Sequence, residues 1–257
     1  MDLMNLYEET VFSAEVDTVK ELLLAAIAKG VNLRDVDLRG ADLRDADLRW
    51  ASLIGANLSG ANLIGVNLGD AELRHANLSK ADLRHANLRY ANLSDADLRD
   101  ANLSHANLSG AELRYGYLRN ADLRHADLCH VSLRGADLCD ADLCGADLSK
   151  SDLVLAKMTG AELGGANLRG AQMVWVSLRD ANLRDANLRD ANIRRANLCD
   201  ADMSGADMSE ADLRWAFMDN ADFSNQLEDT DGFVAAGEDD RVESIDAAQT
   251  RPNSHEN

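Results

Sequence analysis

The chain has 257 residues, and 45 acidic side chains against 26 basic ones leave a formal charge of −19. Phosphates and anionic headgroups demand a surplus of Lys and Arg, so this balance argues against a general nucleic-acid or anionic-membrane binder. The apolar fraction is 46% but aromatics supply only 4%, so the interior is built from Ala and Leu, and a thin, repetitive architecture is expected in place of a broad core.

At the N-terminus, Met1 to Glu9 lacks a basic segment followed by an apolar one, which argues against a cleaved secretion signal. The longest apolar run, Leu22 to Ala28, is far short of the roughly 18 to 20 residues needed to span a bilayer. A cytoplasmic protein without a membrane partner is the resulting expectation. Thr10-Val11-Phe12 suggests a short strand. Val19, Leu22, Leu23, Ala26 and Ile27 follow the i, i+3, i+4, i+7, i+8 spacing of an amphipathic helix. Thr18 and Glu21 match a capping box, and Gly30 stands where helices commonly stop. Residues 1–30 are thus read as an N-terminal cap whose helix, over 19–29, lays its apolar face on the chain beyond residue 30.

From Val31 to Asn225 the sequence repeats every five residues without insertion or deletion, giving 39 units in 195 residues. Every fifth residue from Leu33 to Phe223 is Leu, except Met158, Met173, Ile193, Met203, Met208, Met218 and Phe223. Two positions earlier stands Ala, with Val31, Val36, Val66, Gly116, Val131, Ser151 and Val176 as exceptions. Five residues at about 100° each would scatter the leucines around an α-helix, and an odd period on a straight strand would send them to opposite faces. The chain must therefore turn once per unit. Ala and Leu, two apart, then point inward together, while the intervening Asp or Asn and the two residues after Leu point outward.

Units such as Ala41-Asp42-Leu43-Arg44-Asp45 and Ala181-Asn182-Leu183-Arg184-Asp185 resemble those of the pentapeptide-repeat family. That resemblance implies an all-β fold, a right-handed quadrilateral parallel β-helix with four units per coil. It gives about ten coils and a rod on the order of 47 Å long at the usual spacing of stacked strands. A central column filled by leucines leaves no room for an internal ligand pocket, which argues against an enzyme. A β-solenoid end exposes unpaired backbone groups and needs covering. At the C-terminal end Met203, Met208, Met218 and Phe223 enlarge the core position for this purpose, while Phe217 takes an outward slot. Residues 226–257, with nine acids, two arginines and few apolar side chains, read as an acidic, disordered tail that carries −7 of the charge. Within it Phe233 and Val234 are candidates to fold back. Cys129, Cys139, Cys144 and Cys199 show neither a CxxC pair nor zinc-finger spacing, so free thiols are expected.

Residues 20 apart should stack, so four faces can be compared. The faces beginning at Leu33, Leu38, Leu43 and Leu48 carry net charges of +1, −2, −5 and −2. The acidic excess lies on the Leu43 face, through Asp42, Asp82, Asp122, Asp142, Glu162, Asp202 and Asp222. The same face stacks His85, His105 and His125, a ladder for weak metal binding or a run of polar residues copied by repeat duplication. The Leu33 face instead gathers Tyr115, Val154, Leu155, Val174, Trp175 and Trp215, an apolar strip suited to a protein partner, to a second copy, or to cover by the tail. Arg residues such as Arg39, Arg44, Arg84 and Arg99 have Asp close by and are read as neutralised.

No Ser-His-carboxylate set or phosphate loop stands out, and no cofactor is expected. The leading expectation is a non-catalytic, rigid interaction scaffold. The resemblance to fluoroquinolone-resistance members of the family implies an alternative, a DNA mimic acting on gyrase through the acidic face. Those members dimerise through a C-terminal helix, whereas residues 226–257 show no amphipathic heptad.

Overall fold

The computed structural model describes residues 1–225. Its regular elements all lie before the repeats: strand β1 (Asp2–Met4), strand β2 (Thr10–Ser13) and helix α1 (Val19–Ala28). The two strands pair antiparallel, with Leu3 opposite Phe12. The sequence pattern points to β2 but not to β1, whose Asp2-Leu3-Met4 is too short to show a period. Yet β1 leads into the repeats: Asn5 bridges Val36, the Asp37 N–H donates to the Met4 carbonyl at 2.9 Å, and the Leu6 N–H donates to the Asp35 carbonyl at 2.8 Å. The hairpin thereby occupies backbone groups at the edge of the first repeats.

Helix α1 begins as its sequence dictates. Thr18 accepts the Glu21 N–H through its hydroxyl at 3.1 Å, and Glu21 Oε2 accepts the Thr18 and Asp17 N–H groups in return. The helix ends at Ala28 with Lys29 as its C-cap, one residue before the expected boundary, and Gly30 takes the left-handed conformation at φ 67°. Leu22, Leu23 and Ala26 are buried in the same apolar cluster as Leu33 and Val36.

From residue 37 onward each Asp or Asn before a core Leu forms a parallel bridge with the residue 20 positions later, from Asp37–Asn57 to Asp202–Asp222. Twenty residues make four units per turn. One unit shows the wiring. The Leu103 N–H donates to the Asp122 carbonyl at 2.7 Å, the His105 N–H to the Arg124 carbonyl at 3.0 Å, and the Asp122 N–H to the Ala101 carbonyl at 2.9 Å. Within the unit the Ala106 N–H donates to the Leu103 carbonyl at 3.0 Å and closes a β-turn. Only the second central residue of that turn has positive φ, His105 at 60°, which makes it a type II turn. The corner repeats along the rod and accounts for the five-residue period.

The column of core side chains is closed. Leu43 to Leu198 at five-residue intervals, with Met158, Met173 and Ile193 substituting, are at most 1% exposed. Each buried Leu contributes roughly 1.5 to 3 kcal/mol, and Ala, or Val at Val36, Val66, Val131 and Val176, fills the space between them. Met218 and Phe223 at the far end are half-buried. The outward rule needs one correction. Gly69, Ser104, Cys139 and Ser204, all directly after a core residue, are buried, because small side chains there tuck against the neighbouring coils. The expectations for residues 226–257 lie outside the described residues.

Candidate interaction surfaces

The position after the Leu by two residues sets the surface chemistry, because there the backbone is left-handed. Gly adopts this conformation without strain, and Asn, Asp and His tolerate it better than other residues. The sequence follows the rule: Asp45, Asp95, Asp185, Asn120 and Asn220 hold such sites, together with Gly at Gly65, Gly110 and Gly165. Five of the six histidines do so too, His75, His85, His105, His125 and His130.

His85, His105 and His125 do stack, with ring centroids 5.2 and 5.1 Å apart and planes within 12° and 20°. An imidazole lone pair lies in the plane of its ring, so rings stacked nearly parallel about 5 Å apart do not aim their nitrogens at one tetrahedral ion. Among the described residues no group of three His, Cys, Asp or Glu side chains forms a metal site. The four cysteines are free, and burial pushes the Cys139 and Cys144 thiols up from their usual range.

The acidic positions of the Leu43 face have a structural task. The Oδ1 of the Asp or Asn preceding each core residue accepts the N–H two residues on, as from Asn102 to Ser104 at 3.0 Å and from Asp122 to Arg124 at 3.1 Å. This is an Asx turn, and Asn performs it as well as Asp. Charge is neutralised locally at three of these sites. Asp42, Asp82 and Asp122 each grip the arginine of their own unit, at 2.6, 2.7 and 2.7 Å. These guanidinium hydrogen bonds hold all three carboxyls below the usual carboxylate range. Further along, Asp142 and Asp202 meet Arg124 and Arg184 at 3.5 and 3.7 Å, Glu162 accepts from Asn182 at 2.7 Å, and Asp222 accepts the Ser224 N–H at 2.9 Å. The uncompensated acid thus gathers in the later half of that face. A shallow groove of about 450 Å³ beside it, lined by Thr18, Val19, Lys20, Asp42, Arg44 and Asp45, lies at the surface between α1 and the repeats and outside the filled column.

On the Leu33 face the same left-handed position is filled differently. Tyr115, Leu155, Trp175, Arg195 and Trp215 occupy it at φ between 56° and 63°, with Gly135 alone interrupting. These are bulky residues for which the conformation is an outlier. Tyr115 is 58% exposed, Leu155 51%, Trp175 39% and Trp215 37%, while Val154 and Val174 beside them are half-buried. The Tyr115 ring extends over Gly135, where an added Cβ would meet it at 2.8 Å. All six residues anticipated for this strip lie on one face, with Tyr115 two coils from Leu155 and five from Trp215. The structure also adds Arg195, which sits between the two indoles. Twenty-residue spacing alone locates it; what hides it is that a search for apolar residues passes over an arginine.

Comparison with known proteins sets these surfaces in context. A model of the pentapeptide repeats matches in eight copies, over residues 25–53, 32–70, 51–89, 67–104, 91–128, 121–160, 156–185 and 186–225. Among solved structures the chain is similar to HetL, a pentapeptide repeat protein involved in heterocyst differentiation regulation in the cyanobacterium Nostoc. The identity is 29% and the TM-score 0.50, over 80% of this chain and 95% of HetL. It is also similar to Rfr23 of the cyanobacterium Cyanothece at 33% identity, over 36% of this chain and 63% of Rfr23, with a TM-score of 0.36. QnrB1, a plasmid-mediated fluoroquinolone resistance protein, matches at 18% identity, over 70% of this chain and 88% of QnrB1, with a TM-score of 0.48. No curated protein sequence matches the chain. Proteins of this repeat type form right-handed β-helices, and no helix among the described residues is long and apolar enough to cross a membrane.

Proposed function

The chain belongs to the pentapeptide-repeat family, and from that premise we propose that it is a non-catalytic, rigid scaffold that binds a protein partner through the later half of its Leu33 face. The observation that carries this reading is the column of bulky side chains held in left-handed backbone. Strained conformations persist where surroundings impose them, and they concentrate at functional positions. Folding alone would be served better there by Gly, Asn or Asp, which fill many of the corresponding sites; Trp50, Lys80, Tyr90, Lys150 and Glu210 are isolated exceptions on other faces, whereas Leu155, Trp175, Arg195 and Trp215 follow in successive coils. Aromatic and Arg side chains are also the types that dominate contact energies at interfaces.

In this reading the 39 units form nearly ten coils. The hairpin and α1 cover the first coil, so that the rod presents side surfaces and not an open edge. Stiffness follows from the filled column and keeps the strip's residues in fixed register. Capture of binding partners with wild type and with Trp175→Asp tests the surface. The variant is expected to lose the partner while its melting temperature stays within a few degrees; an unchanged partner set overturns the reading. Sedimentation of the purified chain tells a second copy from a different protein.

A second reading, a DNA mimic acting on a topoisomerase, is favoured by one observation, the uncompensated acid around Glu162 and Asp222 on the Leu43 face. The Asx-turn task of the aspartates on this face and the arginine pairs along the earlier half weigh against it. Supercoiling by gyrase at low salt separates the two: no inhibition and no protection from a quinolone at about micromolar protein removes the mimic.

A further inference from the structure

The interaction strip has a charged centre. Arg195 lies between Trp175 and Trp215, its guanidinium carbon 5.0 and 5.4 Å from the two ring centroids. Two neighbouring arginines are already engaged. Arg194 and Arg214 stack on Trp215 at 4.6 and 5.7 Å, and both reach the Asp212 carboxylate, at 3.8 and 2.6 Å. Arg195 differs, since among the described residues it enters no ion pair. It is also exposed.

A guanidinium stacked by its faces between two indoles keeps its N–H groups in the plane of the fork, pointing away from the rings. The sandwich fixes a side chain that would otherwise lose much rotamer freedom on binding, so that cost is met in advance. The fork then offers a bidentate site for a carboxylate at the edge of an apolar surface. Leu155 stands two coils from Arg195 in the same column, about 10 Å at the spacing of stacked strands; one turn of a polyproline II segment, three residues rising about 3.1 Å each, spans roughly this distance and returns its side chains to one face. The Leu33 face is the one face with net positive charge, +1 against −2, −5 and −2, so an acidic segment meets less repulsion there than on the rest of the rod.

Resting on the reading of the strip as a contact surface, we propose that the Trp175–Arg195–Trp215 column binds an extended acidic segment of a partner protein. An Asp or Glu carboxylate engages Arg195, and an apolar side chain three residues away, one polyproline II turn along the segment, packs on Leu155. Charge complementarity and the matching spacing select this occupant.

The test uses the full chain with Trp50→Phe, so that emission reports Trp175 and Trp215. It is titrated with a synthetic peptide of about ten residues carrying Glu and Leu three apart, and with the same peptide carrying Gln for Glu. Saturable emission change below about 1 mM is expected with the Glu peptide, weakened about tenfold or more by Gln in the peptide or by Arg195→Gln. Arg124→Gln, on the Leu43 face, is expected to leave binding unchanged, and unaltered melting of Arg195→Gln shows that the fold is intact. Equal binding of the Glu and Gln peptides, no effect of Arg195→Gln, or no saturation overturns the proposal. If Glu238→Gln, Asp239→Asn and Asp240→Asn together shift the same emission without any peptide, the occupant is this chain's own C-terminal segment and the proposal in its partner form falls. Loss of partner capture by Trp175→Asp without loss by Arg195→Gln leaves the surface standing and removes the carboxylate.

Discussion

Two columns of turn residues run along this rod in the same backbone conformation, and they carry different chemistry. On the Leu43 face the left-handed position holds His85, His105 and His125 between Gly65 and Gly145; on the Leu33 face it holds Tyr115, Leu155, Trp175, Arg195 and Trp215. The first set is what a type II turn accepts readily, so duplication and local conformation account for it. The second set is not favoured by the turn, and it is partly exposed. The contrast separates residues that serve the fold from residues the fold merely holds.

The comparison requires that both columns stand on equivalent cores. Leu103→Ala beneath His105 and Leu113→Ala beneath Tyr115 should each cost about 2 to 5 kcal/mol, because each leaves a void in a column that is 0% exposed. Chemical denaturation measures both, and a difference well beyond the scatter of the method would show that the faces are not equivalent supports. The unit bearing Leu155 departs from the pattern a second time, at Ser151. Its hydroxyl is buried without a hydrogen-bond partner, so Ser151→Ala should raise stability by about 1 kcal/mol. A loss instead would mean that the hydroxyl is satisfied in solution.

A smaller effect tests the contrast itself. Leu155→Gly relieves left-handed strain and should gain about 0.5 to 1 kcal/mol, whereas His105→Gly should gain less, since His tolerates the conformation and gives up two ring contacts. If both gained equally, the difference between the columns would carry no conformational meaning. The smallest effect concerns charge on the Leu43 face. Asp82 and Asp122 are held below the usual carboxylate range by Arg84 and Arg124. Their contribution is therefore present above the unfolded value of about 3.9 and is lost as pH falls through the lower folded value. Combining Asp82→Asn with Asp122→Asn keeps the Asx-turn oxygen and removes the charge. The melting temperature should drop slightly at neutral pH, with the gap to wild type closing below about pH 4. The pairs are largely solvated, so the gap is small throughout.

Much of this was legible in the residues. An uninterrupted period of five fixes which side chains go inward, and the capping residues Thr18 and Glu21 fix where α1 starts. Stacking at 20 places Trp175 and Trp215 in one column as soon as four units per turn is accepted. Strand β1 was not legible, because three residues carry no period and their pairing is decided by the hairpin and by the edge they meet. Nor was the dual use of Asp, since composition counts its charge while the Asx turn uses only its oxygen.

By itself, then, the sequence determined the unit, its inward and outward positions and the order of residues along each face, because these depend on local geometry repeated without interruption. Tertiary structure decided what those residues are to one another: Asp122 neutralised by Arg124, the imidazoles stacked but not converging, and Arg195 held between two indoles with no carboxylate partner among the described residues. The physical reason is that pairing and stacking depend on which rotamers meet across neighbouring coils, and a five-residue code repeats positions while leaving those meetings open.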